Sequence, residues 1–337
     1  MVQDRYGSAS ALRCVQLPMP QLGADEVLVR VHAASVHPDV WHVVNGRPAV
    51  LRLMGAGIRA PKQRVPGSDF AGRVMAVGDE VASVAVGEDV FGESLPGMQW
   101  VNGATYAEFV AVHRDRLMTM PSGLTYVEAT TLPTAGIIAL QSVRGQAKVA
   151  AGDHVLVNGA AGGVGTLAIQ IARADGATVT AVDGPGQQAV LRAVGADHVI
   201  DYTLEDFTEG DERYDVIIDI PGNHAFSTIR RVLKSDGTYV LVGHDQYGRE
   251  GRAVLGSIPR MFGLMARARF TDQLPQASFA GRPKLADLRA LAELAEAGKI
   301  RPVIDRTFAL EEAGAALDHL ASGHARGRVV LEVIPSG

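Results

Sequence analysis

The spacing of apolar positions changes about a third of the way along the chain. Residues 26–32 alternate, with Val27, Val29 and Val31 on one face and Leu28, Arg30 and His32 on the other. That period of two predicts a half-buried strand. Short apolar runs follow at 70–77, 84–86 and 90–91, each closed by glycine (Gly78, Gly87, Gly92). Many short strands punctuated by glycine predict a twisted barrel or sandwich. From about Leu124 the period lengthens. Apolar runs at 154–158, 178–182, 198–200, 216–220 and 239–242 alternate with helical spacing at 166–175, 187–194 and 225–234. Strands that are apolar on both faces and alternate with helices of this length predict a doubly wound parallel sheet. Beyond Gly243 the pattern is irregular, then predicts a helix at 285–297, strands at 301–310 and 328–333, and a helix at 311–320 between those strands.

The 337 residues exceed what one small core needs and suggest two domains. A formal charge of −5 gives no basic footprint for nucleic acid. Five cations at 47–64 alternate with apolar residues and lack stacking aromatics, which fits a solvated or substrate-covering loop. The one cysteine, Cys14, can make neither an internal disulfide nor a cysteine-based metal site. No secretory leader pattern and no run of membrane-spanning length is visible, so the expected setting is cytoplasmic, with no membrane partner.

The strongest local signal is the run Asn158, Gly159, Ala160, Ala161, Gly162, Gly163, Val164, Gly165, placed between a predicted strand and a predicted helix. Glycines there allow a tight turn, let backbone approach a pyrophosphate and let helix pack on strand. The helix N-terminus then offers free N–H groups to phosphate. Asp183 ends the next strand 18 residues after Gly165, where an acid accepts a hydrogen bond from a ribose 2′-hydroxyl and repels a 2′-phosphate. That favours NADH over NADPH. Capping of the following helix is the alternative role for Asp183.

These segments, together with SVHPD from Ser35, PGSDFAG from Pro66, LPTAG from Leu132, VIDY from Val199 and GHARGR from Gly323, resemble the medium-chain dehydrogenase/reductases, in their zinc-free quinone oxidoreductase branch. The resemblance spans nearly the whole chain. It implies an α/β protein with a GroES-like β-barrel catalytic domain (1–123), a doubly wound parallel-sheet Rossmann domain (124–257) and a C-terminal return to the catalytic domain (258–337). It implies NAD(P)H in a cleft between the domains, a homodimer, and a small-molecule substrate that is a quinone or an α,β-unsaturated carbonyl compound. Thr134, Asn158, Tyr202, Gly243 and Arg328 join the glycine run as expected cofactor contacts.

Zinc-dependent relatives place a cysteine where this chain has His37, a histidine where it has Ser68, a glutamate at Asp69 and a further cysteine near Thr134. No metal is therefore expected, although His37, Asp39 and His42 are residue types that suit zinc. Most zinc-free relatives have asparagine at the place of His37, and many have tyrosine at the place of His42. Either histidine can stabilise a developing enolate or deliver a proton near neutral pH, so His37, His42 and Asp39 are the candidate catalytic residues. Structural histidines satisfied by backbone are the plainer reading of both rings. Relatives that bind NADPH surround the 2′-phosphate with serine, lysine or arginine, and tyrosine. This chain keeps Tyr202 but has Gly184, Gly186 and Gln187 in place of the others. Lys62, residues 54–58 and residues 260–265 are expected at the substrate mouth. A cofactor-binding sensor without turnover and a tailoring reductase of secondary metabolism carry the same motifs.

Overall fold

A computed structural model describes residues 1–95, 101–243, 254–256, 258–275 and 284–334. The strands are β1 (Glu26–Val36), β2 (Asp69–Val77), β3 (Asp89–Glu93), β4 (Phe109–His113), β5 (Leu117–Thr119), β6 (His154–Asn158), β7 (Thr178–Asp183), β8 (His198–Asp201), β9 (Tyr214–Asp219), β10 (Leu233–Leu241), β11 (Ile304–Ala309) and β12 (Arg328–Glu332). The helices are α1 (Pro38–Asn45), α2 (Tyr126–Ala129), α3 (Pro133–Leu140), α4 (Gly163–Ala174), α5 (Gln188–Ala193), α6 (Phe226–Ile229), α7 (Ile258–Arg267), α8 (Lys284–Glu296) and α9 (Ala313–Ala321).

Two sheets result. The first runs β11-β12-β1-β2-β3-β5, with β4 also paired to β1. Strand β1 can serve three neighbours because of its 11 residues: Glu26 to Arg30 pair with β4, while Ala33 to Val36 pair with β12. Val27, Val29 and Val31, on the face the alternation predicted to be apolar, are fully buried with Val329, Leu331 and Leu317. The second sheet is parallel, in the order β10-β9-β6-β7-β8. Its central strand β6 is buried from Val155 to Asn158, the signature of a strand covered on both faces. One face packs on α3, α4 and α8 through Leu132, Leu167, Ile171 and Leu291, and the other carries Phe207, Tyr214, Phe226 and Tyr239.

Three expectations differ from the structure. Residues 84–86 form no strand, since residues 85–88 make a turn in which Glu88 N–H bonds Ala85 O and Val86 is exposed. The helix expected at 225–234 is only the single turn α6, because Leu233 already pairs with Tyr214 at the start of β10. Finally, α7 and α8 pack against the parallel-sheet cores, and α8 also touches the first sheet, where Lys284 pairs with Glu93 of β3. Leu264 joins Tyr239, and Leu288 and Leu291 join the face that buries Leu167. The chain thus rejoins the first sheet at β11, well after residue 258, because the apolar faces of α7 and α8 find their partners on the parallel sheet. No helix among the described residues is long and apolar enough to cross a membrane.

Candidate functional site

Strand order reverses between β6 and its neighbours β7 and β9, so the carboxyl ends of β6 and β9 frame a crevice, where doubly wound sheets bind ligands. Asn158 ends β6 and Asp219 ends β9, and Asn158 Nδ2 donates to Asp219 Oδ1 at 2.9 Å. Asp219 is fully buried and also accepts from Gly222 N–H and Tyr239 O–H. Burial and the neighbouring carboxylate push the Tyr239 phenol far up, so it is a fixed donor. Asp219 was absent from the sequence-based candidates. Its position at a strand end was legible, but its pairing with Asn158 was not.

A cavity of about 970 Å³ opens from this crevice. Its wall includes Asn158, Gly159, Gly162, Val164, Asp183, Tyr202, Gly243, Thr134 and Arg328 among the expected cofactor residues, and all three candidate catalytic residues, His37, Asp39 and His42. Ala161, Gly163 and Gly165 lie behind the wall and shape it. A Cβ on Gly165 would sit 2.5 Å from the carbonyl oxygens of both Gly159 and Ala160, so only glycine lets α4 approach the turn. Gly159 has φ +77°, a left-handed backbone that glycine adopts without strain. Gly162 caps α4 without a side chain, which leaves the first-turn N–H groups for an anion. Gly243 meets Ile220 O so closely that a Cβ there would lie 2.1 Å from it.

The second domain contributes directly. Gly327 N–H donates to Ala161 O at 2.7 Å, tying the cradle to the start of β12. The Arg328 side chain then runs past Gly163 into a buried network. Its Nη2 donates to Ser35 Oγ at 2.6 Å and to Asp69 Oδ2 at 3.2 Å. Asp69 further accepts from Ser35 Oγ (2.8 Å), Thr134 Oγ1 (2.5 Å), Thr134 N–H (3.3 Å) and Ser68 Oγ (3.2 Å). Asp69 is thus the acceptor on which these donors converge.

His37 sits at the N-cap of α1, 2% exposed, with Nε2 at 2.7 Å from Ser68 Oγ and Nδ1 at 3.7 Å from Asp39 Oδ2. Burial lowers its pKa, partly offset by Asp69 and Asp39. The Ser68 proton goes to Asp69, so Ser68 Oγ takes Nε2–H, and Nδ1 of the neutral ring carries the lone pair. His42 Nδ1 lies 2.7 Å from Arg47 O, a group that only accepts, so the neutral ring has its proton there and Nε2 carries no proton. As neutral rings, therefore, neither histidine has a donor for a substrate oxygen. Each acts as a donor at its second nitrogen only when protonated.

Asp183 holds its oxygens on Ala161 N–H (2.7 Å) and Gly184 N–H (2.8 Å). Burial pushes its carboxyl up, and those two N–H groups pull it back. It braces the cradle as well as lining the cavity. Pro48, Leu51, Ile258 and Met261 form the apolar end near His42, whereas Lys62 and residues 54–58 are not on the wall. The cavity fits a nicotinamide dinucleotide on two observations. A Cβ at Gly165 would close the cradle, and two buried polar atoms on wall residues, Arg328 Nε and His37 Nδ1, have no partner among the described residues. Among the described residues no three His, Cys, Asp or Glu side chains are grouped to hold a metal.

Comparison with known proteins agrees with this geometry. Residues 23–122 match the alcohol dehydrogenase GroES-like domain family, and residues 194–331 match the zinc-binding dehydrogenase family. The chain is 34% identical to the mitochondrial NAD(P)H oxidoreductase RTN4IP1 of Mus musculus, covering 99% of this chain and 88% of that protein. It is 30% identical to the 2-methylene-furan-3-one reductase of Solanum lycopersicum, covering 98% and 78% respectively. The solved quinone oxidoreductase of Coxiella burnetii superposes with a TM-score of 0.81 at 30% identity, over 99% of this chain and 98% of that one. The chain belongs to the medium-chain dehydrogenase/reductase superfamily, in its quinone oxidoreductase-like branch, and is an NAD(P)H oxidoreductase.

Proposed function

We propose that this protein is a zinc-independent reductase of quinones or α,β-unsaturated carbonyl compounds. One observation carries the reading: His37, Ser68, Asp69 and Thr134 converge, but on one another and on the Arg328 guanidinium. The cation of this cluster is an arginine built into β12, and its polar atoms are largely consumed by mutual hydrogen bonds. A substrate that needs no strong alkoxide stabiliser suits such a site, and activated double bonds and quinones are of that kind.

When bound, the nicotinamide supplies a hydride to the β-carbon of the enone or to the quinone ring. The glycine turn and the start of α4 hold the pyrophosphate, and Asn158, fixed by Asp219, shapes the crevice beside it. Negative charge then develops on the substrate oxygen. Protonated His37, with Asp39 beside Nδ1, donates to that oxygen from Nδ1. The second hydrogen reaches the carbon or the second oxygen as a proton from solvent. His42 lines the same end of the cavity and offers a second imidazolium donor. Trp41, Leu51 and Met261 exclude water around the acceptor.

The test is oxidation of NADH and NADPH by a panel of quinones and enones, with protein stripped by a chelator and analysed for metal. Turnover by metal-free protein supports the reading. Activity restored only by added zinc overturns the zinc-independent part. Cofactor binding with no turnover of any acceptor would favour a cofactor-binding sensor.

A further inference from the structure

Two segments meet at the apolar end of the cavity, one following α1 and one leading into α7. Val50 N–H donates to Val254 O at 3.1 Å, and a Cβ on Gly256 would lie 2.8 Å from Cγ of Pro48. Pro48, Leu51, Ile258 and Met261 line the cavity wall. Their chain neighbours lie in water: Leu53 is 74% exposed and Phe262 56%, and Val254 and Leu255 are exposed as well. A contiguous apolar patch of this kind marks an interaction surface. Helix α7 is strongly amphipathic, with Leu264 buried on the parallel-sheet core and Phe262 outward, between Arg260 and Arg267. The charge of the two segments is one-sided. Residues 40–68 carry five arginines and lysines and no aspartate or glutamate, and residues 254–271 carry three arginines and no acid, in a chain of net charge −5. Arg64 pairs with Asp4, and Arg52 lies over the Tyr6 ring. Among the described residues no ion pair reaches Arg47, Arg59, Lys62, Arg260, Arg267 or Arg269.

We propose that this rim docks on a bilayer bearing anionic headgroups, and that the cavity takes a lipophilic quinone or enone from it. The proposal rests on the reductase reading above and narrows its substrate to acceptors that reside in lipid. An amphipathic helix whose apolar side chains are flanked by arginines lies in the plane of the headgroups, so the lack of spanning runs in the sequence does not bear on it. Each cation near an anionic surface strengthens binding by roughly fivefold, and the exposed apolar side chains gain by leaving water. The uniform positive sign favours lipid over a second copy of the chain, because a two-fold pairing would set the same cations against one another. The rim is also continuous with the wall: Leu53 lies two residues from Leu51, and Phe262 follows Met261. An acceptor with a hydrocarbon tail therefore passes from lipid into the cavity along apolar surface.

The experiment is sedimentation of the full chain with vesicles of phosphatidylcholine, alone or with about a third phosphatidylglycerol. It compares wild type, Leu53→Gln, Phe262→Gln and the double variant Arg59→Gln/Lys62→Gln. In parallel, reduction of a water-soluble benzoquinone is compared with that of a long-chain quinone dissolved in the vesicles. Wild type should bind anionic vesicles at least about tenfold more tightly than neutral ones, and should be released as salt rises from about 0.1 to 0.5 M. Leu53→Gln and Phe262→Gln should each weaken binding by about three- to tenfold, and the double variant by about tenfold or more. All three should slow reduction of the vesicle-borne quinone and leave the water-soluble reaction unchanged, because none of these side chains lines the cavity. Equal binding to neutral and anionic vesicles, or binding to neither, would overturn the proposal. Self-association in the ultracentrifuge that Leu53→Gln and Phe262→Gln abolish would overturn it in favour of a second copy. Equal slowing of both quinone reactions would overturn it in favour of a structural role for the rim. Failure of wild type to reduce any acceptor would bring down the reductase reading alone, since vesicle binding is measured without turnover.

Discussion

Gly163 opens α4, and helix propensity says that alanine there should stabilise the protein by about 1 kcal/mol. The tertiary structure reverses the sign. A Cβ on Gly163 would lie 2.1 Å from Cδ of Arg328, 3.1 Å from Cγ and 3.3 Å from Nε. Van der Waals contact needs roughly 3.5–4 Å between carbons, so the arginine arm must move by well over an ångström. Its Nη2 sits 2.6 Å from Ser35 Oγ and 3.2 Å from Asp69 Oδ2 and cannot keep both contacts through that shift. Losing hydrogen bonds to a charged group costs about 1.5–3 kcal/mol, and an unpaired buried charge costs more. Asp69 retains Ser35, Ser68 and Thr134, which limits the loss on its side. The expected result for Gly163→Ala is a net destabilisation of about 2–3 kcal/mol, measured from urea unfolding of the cofactor-free protein. The mechanism is isolated by a double-mutant cycle. In an Arg328→Ala background the three atoms nearest that Cβ are gone, and Gly163→Ala should then stabilise by about 1 kcal/mol. A stabilising or neutral Gly163→Ala in wild type, or the same effect in both backgrounds, would refute the claim that Gly163 is glycine because Arg328 crosses it.

Other outcomes follow from the site. Gly165→Ala meets backbone carbonyls rather than a movable side chain, so it should weaken dinucleotide binding by at least about tenfold in a fluorescence titration, and unchanged affinity would contradict the cradle geometry. Burial sets the folded pKa of His37 below the ordinary value. As pH falls below about 6.5 the unfolded chain takes up a proton that the folded protein refuses. This should cost up to about 1.4 kcal/mol of stability per pH unit until the folded pKa is passed. His37→Gln should remove that share of the acid destabilisation, and identical pH–stability curves would exclude it. The reductase rate should rise as pH falls through the same range if His37 acts as imidazolium, and Asp39→Asn should lower kcat and shift the profile to lower pH, whereas a pH-independent wild-type rate would remove His37 as the donor. Glu93, buried against Lys284, has its carboxyl pushed up to about 7, first by desolvation. Stability should therefore decline as pH rises from about 4.5 toward 7, and Glu93→Gln should flatten that portion of the curve.

The sequence by itself determined what depends on neighbours along the chain. Period-two alternation marked β1, because its alternate residues face one core. Runs apolar on both faces marked β6 and β9, and the glycine turn at 159–165 was legible because a strand on one side and a helix on the other leave it few geometries. Those local patterns were enough for the fold class and for the position of the dinucleotide cradle. Tertiary structure decided what depends on approach through space. It set Arg328 across Gly163 and against Asp69, a residue 259 positions away, and turned four separate motif fragments into one buried network. It paired Asn158 with Asp219, moved α7 and α8 onto the parallel-sheet cores, and gave Asp183 two backbone N–H partners, whereas sequence spacing had offered it a ribose or the cap of the next helix. It also fixed the histidine tautomers, since the proton on an imidazole follows the partner its other nitrogen finds, and here those partners are Ser68 and Arg47. Propensity and periodicity act over a few residues, but hydrogen-bond partners and electrostatic environment are set by whichever chain segment packs nearest, and that is decided only when the chain has folded.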